Sequence, residues 1–195
     1  MEYLSTVHEV SGELTGLVLP RGEAIANKEW CMSTNIFVVN EHGQILCHQR
    51  SLGKERYPGV WSTHLGGHVS ADETFETNAQ KEVEEEAGVK VEPNQLLAWR
   101  TTRLPLARLW VREFVTYLNL PVEAFTPQPG EVEKFAWFSA EEILESRRLN
   151  PSAWMAGTHD FATEYHCLRA VLSSAHTLGH VDICPALTKW GGPSR

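Results

Sequence analysis

The sequence predicts an α+β or α/β/α sandwich around a mixed β-sheet. Three observations carry that prediction. Short runs rich in β-branched and aromatic residues, separated by turn residues, fill the first 65 positions. One strongly patterned helix follows near residues 75–87, and strands and then helices complete the chain. Such a mixed order of elements calls for helices packed on a sheet. No internal repeat, low-complexity tract or Gly/Pro/Ser-rich linker divides the chain, and 195 residues suffice for one well-buried core, so a single domain over 1–195 is expected.

Taken in order, Glu2–Val10 reads as a strand turned by Ser11-Gly12-Glu13 into a second run, Leu14–Leu19. Met32–Asn40 and Gln44–Gln49 flank a polar turn ending in Gly43, which predicts a hairpin. A loop carrying Lys54, Arg56, Pro58 and Gly59 leads through Val60–Leu65 to Gly66-Gly67. Ser70 and Glu73 have the spacing of a capping box, with Asp72 as an alternative cap, and Gly88 is a natural stop after Ala87. Leu96–Thr101, Leu109–Leu118 and Lys134–Phe138 read as strands, and Ser139 with Glu142 caps a helix through Glu145. Asn150-Pro151 precedes a last helix, roughly 160–174, and an irregular tail from Ala175.

Composition excludes several classes. Seventeen basic against 25 acidic side chains give a formal charge of −8, which argues against a nucleic-acid or membrane-surface binder working by bulk charge. No apolar run approaches the ~18 residues of a membrane span, and the first residues lack the basic and apolar regions of a signal peptide. Cys31, Cys47, Cys167 and Cys184 are widely spaced, as expected of reduced, mostly buried thiols in a cytoplasmic protein.

The helix carries the most information. At ~100° per residue, Phe75, Ala79, Val83 and Ala87 form an apolar ridge ~120° wide. Glu86 falls inside that stripe, ~20° from Phe75, Glu82 lies ~20° beyond its edge, and Glu85 a further ~60° round. Carboxylates late in a helix oppose its dipole, repel one another at i, i+3 and i+4, and next to apolar surface require a compensating charge. A hard divalent cation supplies that charge through oxygen ligands and retains open positions for a phosphate.

Gly67-x5-Glu73-x7-Lys81-Glu82-Val83-x-Glu85-Glu86-x-Gly88-Val89 resembles the Nudix box, G-x5-E-x7-R-E-U-x-E-E-x-G-U, with U aliphatic and Lys81 in place of arginine. The resemblance implies a Nudix-type α/β/α sandwich in which water attacks a diphosphate linked to another group, with Mg²⁺ or Mn²⁺ as cofactor. It further implies Glu85, Glu86 and the carbonyl of Gly66 as metal ligands, and Glu82 as a ligand or as the base that activates water. Glu73 and Lys81 become the pair that fixes the loop and orients Glu82, although lysine lacks arginine's bidentate fork. An additional carboxylate from outside the box is expected at Glu131 or Glu113, and substrate contacts at Arg50, Lys54, Trp61 and His68. The expected partner is a small-molecule diphosphate, with no nucleic-acid polymer and no membrane.

Gln49-Arg50-Ser51, Lys54, Tyr57–Trp61, Gly16, Arg21 and Asn150–Met155 are similar to isopentenyl-diphosphate isomerases and their hydrolase relatives. In the isomerases a catalytic cysteine directly precedes the Gly-His pair, where this chain has Gly66 before Gly67-His68. Their metal-binding histidine falls near Cys31 and Met32, and their E-x-E pair at Val111 and Glu113. The hydrolase reading is therefore favoured, with isomerase chemistry and a non-catalytic ligand-binding regulator as alternatives. Trp110, Trp137, Trp154 and His64 are candidate site residues or ordinary core, and selectivity is expected in Thr101–Leu109 and the helices after Ser139. The tail series His176, His180, Asp182 and Cys184 lacks the paired spacing of a zinc site.

Overall fold

The computed structural model describes residues 2–155, 166 and 168–173. Its strands are β1 (Tyr3–Val7), β2 (Leu14–Pro20), β3 (Cys31–Val39), β4 (Ile45–Arg50), β5 (Trp61–Ser62), β6 (Leu96–Leu104), β7 (Leu109–Tyr117) and β8 (Val132–Phe138). The helices are α1 (Arg21–Ala26), α2 (Phe75–Ala87) and α3 (Ala140–Leu149).

The predicted hairpin of β3 and β4 forms, but the two strands touch only at Val39↔Ile45 and then diverge to different partners. β3 runs parallel to β7 from Cys31↔Leu109 to Val39↔Tyr117, whereas β4 runs antiparallel to β8. Into the opening between them the chain lays residues 65–69. Leu65 exchanges hydrogen bonds with Ile36, Thr34 N–H donates to the Gly67 carbonyl, and Val69 N–H donates to the Met32 carbonyl. The glycine loop is thus held along β3 as an additional strip of sheet.

Both faces of the sheet are covered, so the last four residues of β3, Ile36–Val39, are all apolar, as buried strands are. Ile36 and Val38 turn towards α2 and pack with Ala79, Val83, Ala87, Leu46 and Phe114. Phe37 and Val39 turn towards α3 and pack with Ile143, Leu144, Trp154, Leu168 and Val171. Full burial of each such aliphatic side chain contributes about 1.5–3 kcal/mol. The expected sandwich is the observed one.

Several boundaries differ from the sequence reading. Thr74, not Ser70 or Asp72, caps α2, in a box with Thr77. Ser70 and Glu73 make a separate turn ahead of the helix: Glu73 N–H donates to the Ser70 carbonyl, and Ser70 N–H donates to Glu73 Oε2. The helix ends at Gly88 in the left-handed conformation, as predicted. α1 was not foreseen; it has six residues, no side-chain cap and a glycine at its second position. β6 continues to Leu104, so Thr101–Leu104 belong to a strand and only 105–108 form a turn. α3 runs four residues past Glu145, to Leu149. Residue 166 and residues 168–173 are helical, within the predicted last helix, whereas the tail from 175, its His/Asp/Cys series and Cys167 lie outside the described residues. Cys31 and Cys47 are free and buried. No described helix is long and apolar enough to cross a membrane.

Candidate active site

The strip 65–69, the turn 70–73, α2, the end of β4 and the loop before β8 converge on one polar cavity of about 700 Å³. Arg50, Lys54, Gly66, His68, Glu73, Lys81, Glu82, Glu85, Glu86 and Glu131 all line it, together with Glu2 and Arg21 from the N-terminal elements. Of the eleven residues that the sequence offers as metal, catalytic or substrate contacts, leaving aside the alternative carboxylate Glu113 and the candidates that could equally be core, ten are therefore brought together. The eleventh, Trp61, is not: it packs edge-on against Phe138 at 5.2 Å between ring centres and against Trp154 at 6.2 Å, on the α3 side of the sheet.

Two glycines allow the loop to lie where it does. Gly66 has φ +142°, and a Cβ there would fall 2.0 Å from the Thr34 carbonyl oxygen. A Cβ on Gly67 would fall 2.3 Å from Glu82 Oε1, so the Glu82 carboxylate occupies the space above that backbone. Gly66 N–H donates to Glu86 Oε2 at 3.2 Å, and the Ser33 hydroxyl donates to the Gly67 carbonyl at 2.8 Å. At the other end of α2, Thr126 N–H donates to the Ala87 carbonyl and Gln128 N–H to the Glu86 carbonyl, which brings Glu131 to the cavity.

Charges in the cavity are unevenly matched. Lys81 Nζ sits 2.9 Å from Glu73 Oε1, Lys54 Nζ 2.6 Å from Glu131 Oε2, and Arg21 Nη1 2.8 Å from Glu2 Oε2. Among the described residues Arg50 has no carboxylate partner; its Nη2 reaches the Arg56 carbonyl at 3.5 Å and its Nε is buried without one. No described cation pairs with Glu82, Glu85 or Glu86. Burial and the neighbouring Glu85 push the Glu82 carboxyl up to about 7, and burial with Glu82 pushes Glu86 up to about 8. Burial also acts to raise Glu73, but the hydrogen bonds from Lys81, Asn78 and Ser70 N–H outweigh it and leave that carboxyl below its ordinary value. Burial lowers His68, which favours the neutral ring.

Among the described residues no three His, Cys, Asp or Glu side chains are already closed into a metal-ligating cluster. The donor set nevertheless fits a hard divalent ion: carboxylate oxygens on one helix face, two of them pushed towards the neutral form by burial and by the neighbouring carboxylates.

The remaining candidates are placed elsewhere. Glu113 is buried on β7 in an ion pair with Arg100 Nε, backed by Nη2 at 3.2 Å. His64 packs on the Phe37 ring at 5.6 Å. Trp137 and Trp154 belong to the two cores, and Trp110 donates to the His8 and Glu9 carbonyls. Sequence reasoning missed Asn78, which is fully buried and hydrogen-bonded to Thr34, His68 and Glu73. Its position on the helix, ~60° from Phe75 on the Glu82 side, was a usable signal, since a polar residue there faces the same protein wall as the carboxylates.

With this geometry in view, the comparisons with known proteins agree. The family model of the NUDIX domain matches residues 30–156, and the chain belongs to the Nudix family, whose hydrolases generally cleave pyrophosphate bonds with divalent metals. Nudix hydrolase 3 of Arabidopsis thaliana is 33% identical over 143 residues, covering 68% of this chain and 18% of that protein. The isopentenyl-diphosphate Δ-isomerase of Streptomyces griseus is 33% identical over 134 residues, covering 66% of this chain and 67% of the isomerase. Thus the chain spans under a fifth of the first relative and about two thirds of the second. Among solved structures, DR0079 of Deinococcus radiodurans superposes with a TM-score of 0.68 at 21% identity, covering 86% of this chain and 99% of that one. A C. elegans Ap4A hydrolase follows with a TM-score of 0.52 at 21% identity, over 75% and 98%. Both likenesses show the fold.

Proposed function

We propose that this protein is a Mg²⁺- or Mn²⁺-dependent hydrolase that cleaves the pyrophosphate bond of a nucleoside diphosphate-linked or related small-molecule diphosphate. The observation that carries the reading is the set of Glu82, Glu85 and Glu86 lining one cavity with no ion-pair partner among the described residues. Glu85, Glu86, the Gly66 carbonyl and Glu131 would hold the ion, with Glu82 as a further ligand or as the base. Bound there, a divalent cation neutralises the diphosphate, polarises phosphorus and lowers the pKa of attacking water.

The chain's own residues supply the rest. Burial and Glu85 push the Glu82 carboxyl up to about 7 in the metal-free protein, and a bound cation would favour its ionised form, the form a ligand or base requires. Glu73 and Lys81 keep the loop closed over Glu82. Arg50, which has no carboxylate partner among the described residues, would meet a phosphate, with Lys54 and His68 lining the same cavity.

The isomerase relatives favour a second reading, but the loop opposes it. The position at which an isomerase carries its cysteine is Gly66, where any side chain meets the Thr34 carbonyl. Glu113, the surviving half of the E-x-E pair, is occupied by Arg100.

The test is phosphate and pyrophosphate release from a panel of nucleotides and isoprenoid diphosphates with Mg²⁺ or Mn²⁺, beside a Glu85→Gln control. Metal-dependent release that the control loses supports the reading and identifies the substrate class. Silence across the panel refutes it and leaves isomerisation or ligand binding without turnover.

A further inference from the structure

The box departs from its pattern at Lys81, and the structure shows what stands beside that departure. An arginine presents two parallel donors to a carboxylate, whereas an ammonium is a point donor. Lys81 accordingly engages one oxygen of Glu73, Oε1, at 2.9 Å. The other oxygen, Oε2, accepts from Asn78 Nδ2 at 2.9 Å and from Ser70 N–H at 3.1 Å. Asn78 and Lys81 lie three residues apart on α2, so both reach back from one helix face to the same carboxylate.

The Asn78 amide has no freedom to do otherwise. Nδ2 donates to the His68 carbonyl at 3.0 Å as well as to Glu73, which uses both of its hydrogens. Oδ1 accepts from the Thr34 hydroxyl at 2.6 Å. A flipped amide would set its oxygen against two acceptors, so the network fixes one orientation. Asn78 thereby ties α2 to β3 and to the turn that carries Glu73, next to the strip in which Gly67, held by Ser33 and Thr34 of β3, lies against the Glu82 carboxylate.

We infer that Asn78 is a positioning residue that, together with Lys81, replaces the two-pronged arginine of the box: one side chain grips each oxygen of Glu73. The consequence is energetic coupling between positions 78 and 81. With lysine at 81, losing Asn78 leaves Glu73 held by the ammonium and one backbone N–H; with arginine at 81, the second prong returns from the guanidinium.

This inference rests on the Nudix hydrolase reading for its activity readout, so the experiment includes binding of Mn²⁺ alone. Four proteins are compared: wild type, Asn78→Ala, Lys81→Arg and the double variant, each checked for folding by thermal unfolding. Residues that orient a metal site cost about 10–100-fold in affinity or activity when lost. Asn78→Ala is expected to lower Mn²⁺ affinity and turnover within that range, and the loss is expected to shrink to ~3-fold or less in the Lys81→Arg background. Equal losses in both backgrounds would overturn the inference, because a residue that merely ties Thr34 and His68 is not rescued at position 81. Should Asn78→Ala not fold, Asn78→Ser, which keeps a hydroxyl beside Thr34, takes its place in the same cycle. Coupling in Mn²⁺ affinity without turnover on any substrate would sink the hydrolase reading alone. Turnover without coupling would sink this inference alone, and a wild type that binds no Mn²⁺ would sink both.

Discussion

The Glu82 carboxylate fills the space that a side chain on Gly67 would occupy, with Oε1 2.3 Å from the position of a Cβ there. The neighbouring Gly66 is excluded from carrying a side chain for a different reason, since its Cβ would meet backbone, the Thr34 carbonyl oxygen, at 2.0 Å. A flexible carboxylate can move aside and a β-strand carbonyl cannot. Gly67→Ala is therefore expected to fold with little loss of stability while displacing Glu82 and lowering turnover by ~10²-fold, as small misplacements of a reacting group do. Gly66→Ala is expected to cost about 2 kcal/mol or more in denaturant unfolding, being strained in both φ and contact. Equal stability losses in the two variants would show that Glu82 does not yield.

Replacing Glu82 itself tests its chemistry. Glu82→Gln preserves shape and removes the carboxylate proposed as ligand or base, and turnover is expected to fall by ~10²–10⁴-fold, the range of a positioned acid–base group. Near-normal turnover in a folded Glu82→Gln protein would remove Glu82 from the mechanism.

Two carboxylates outside the box were candidates from the sequence, and the structure separates them. Glu131 faces the cavity and shares its charge with Lys54, whereas Glu113 is buried against Arg100. Glu131→Gln is expected to weaken Mn²⁺ binding by about tenfold or more. Glu113→Gln is expected to leave Mn²⁺ affinity alone and to destabilise the fold by about 1–3 kcal/mol, since it weakens a charge-assisted hydrogen bond in a buried pair. Calorimetric titration with Mn²⁺ and urea unfolding of both variants decide the matter; exchanged phenotypes would reverse the assignment.

These contrasts show which parts of the site the sequence could express. The carboxylates of α2 were legible because helical periodicity places Glu82, Glu85 and Glu86 against an apolar ridge, where an acidic run is out of place. The strands were legible from β-branched runs, but their pairing was not: β3 and β4 read as one hairpin, whereas β3 takes β7 as its long partner and leaves room for residues 65–69. That insertion depends on contacts between segments distant in sequence. Asn78 was missed because an asparagine on a helix is ordinary until the groups across from it are known. Trp61, expected among the substrate contacts, lies apart from the cavity for a related reason, since sequence position does not say which side of the sheet its ring takes. The cap of α2 was misplaced because Ser70 and Glu73 satisfy the capping-box pattern while using it for a turn.

The pH dependence of stability follows from two sets of buried groups with opposite signs. Burial lowers His48 to about 3 and His64 to about 4, from 6.5. The unfolded chain therefore takes up protons below pH 6.5 that the folded chain refuses, and stability falls as pH drops from 6.5 towards 4. Glu82 and Glu86 act the other way. Raised from 4.5 to about 7 and about 8, they bind protons in the folded state that the unfolded chain has released, so they add stability as pH falls from about 8 to 4.5. Over the shared window, 4.5 to 6.5, the two contributions oppose each other, and metal-free wild-type protein is expected to show a shallow pH profile in urea unfolding. The Glu82→Gln/Glu86→Gln protein has only the histidines left, and its stability is expected to fall by up to about 1.4 kcal/mol per pH unit for each histidine below pH 6.5. Adding His48→Phe to that protein is expected to halve the slope. Parallel profiles for wild type and the double glutamine variant would show that Glu82 and Glu86 are not raised in the folded protein, and a flat profile for the double glutamine variant would show that the folded protein already protonates His48 and His64.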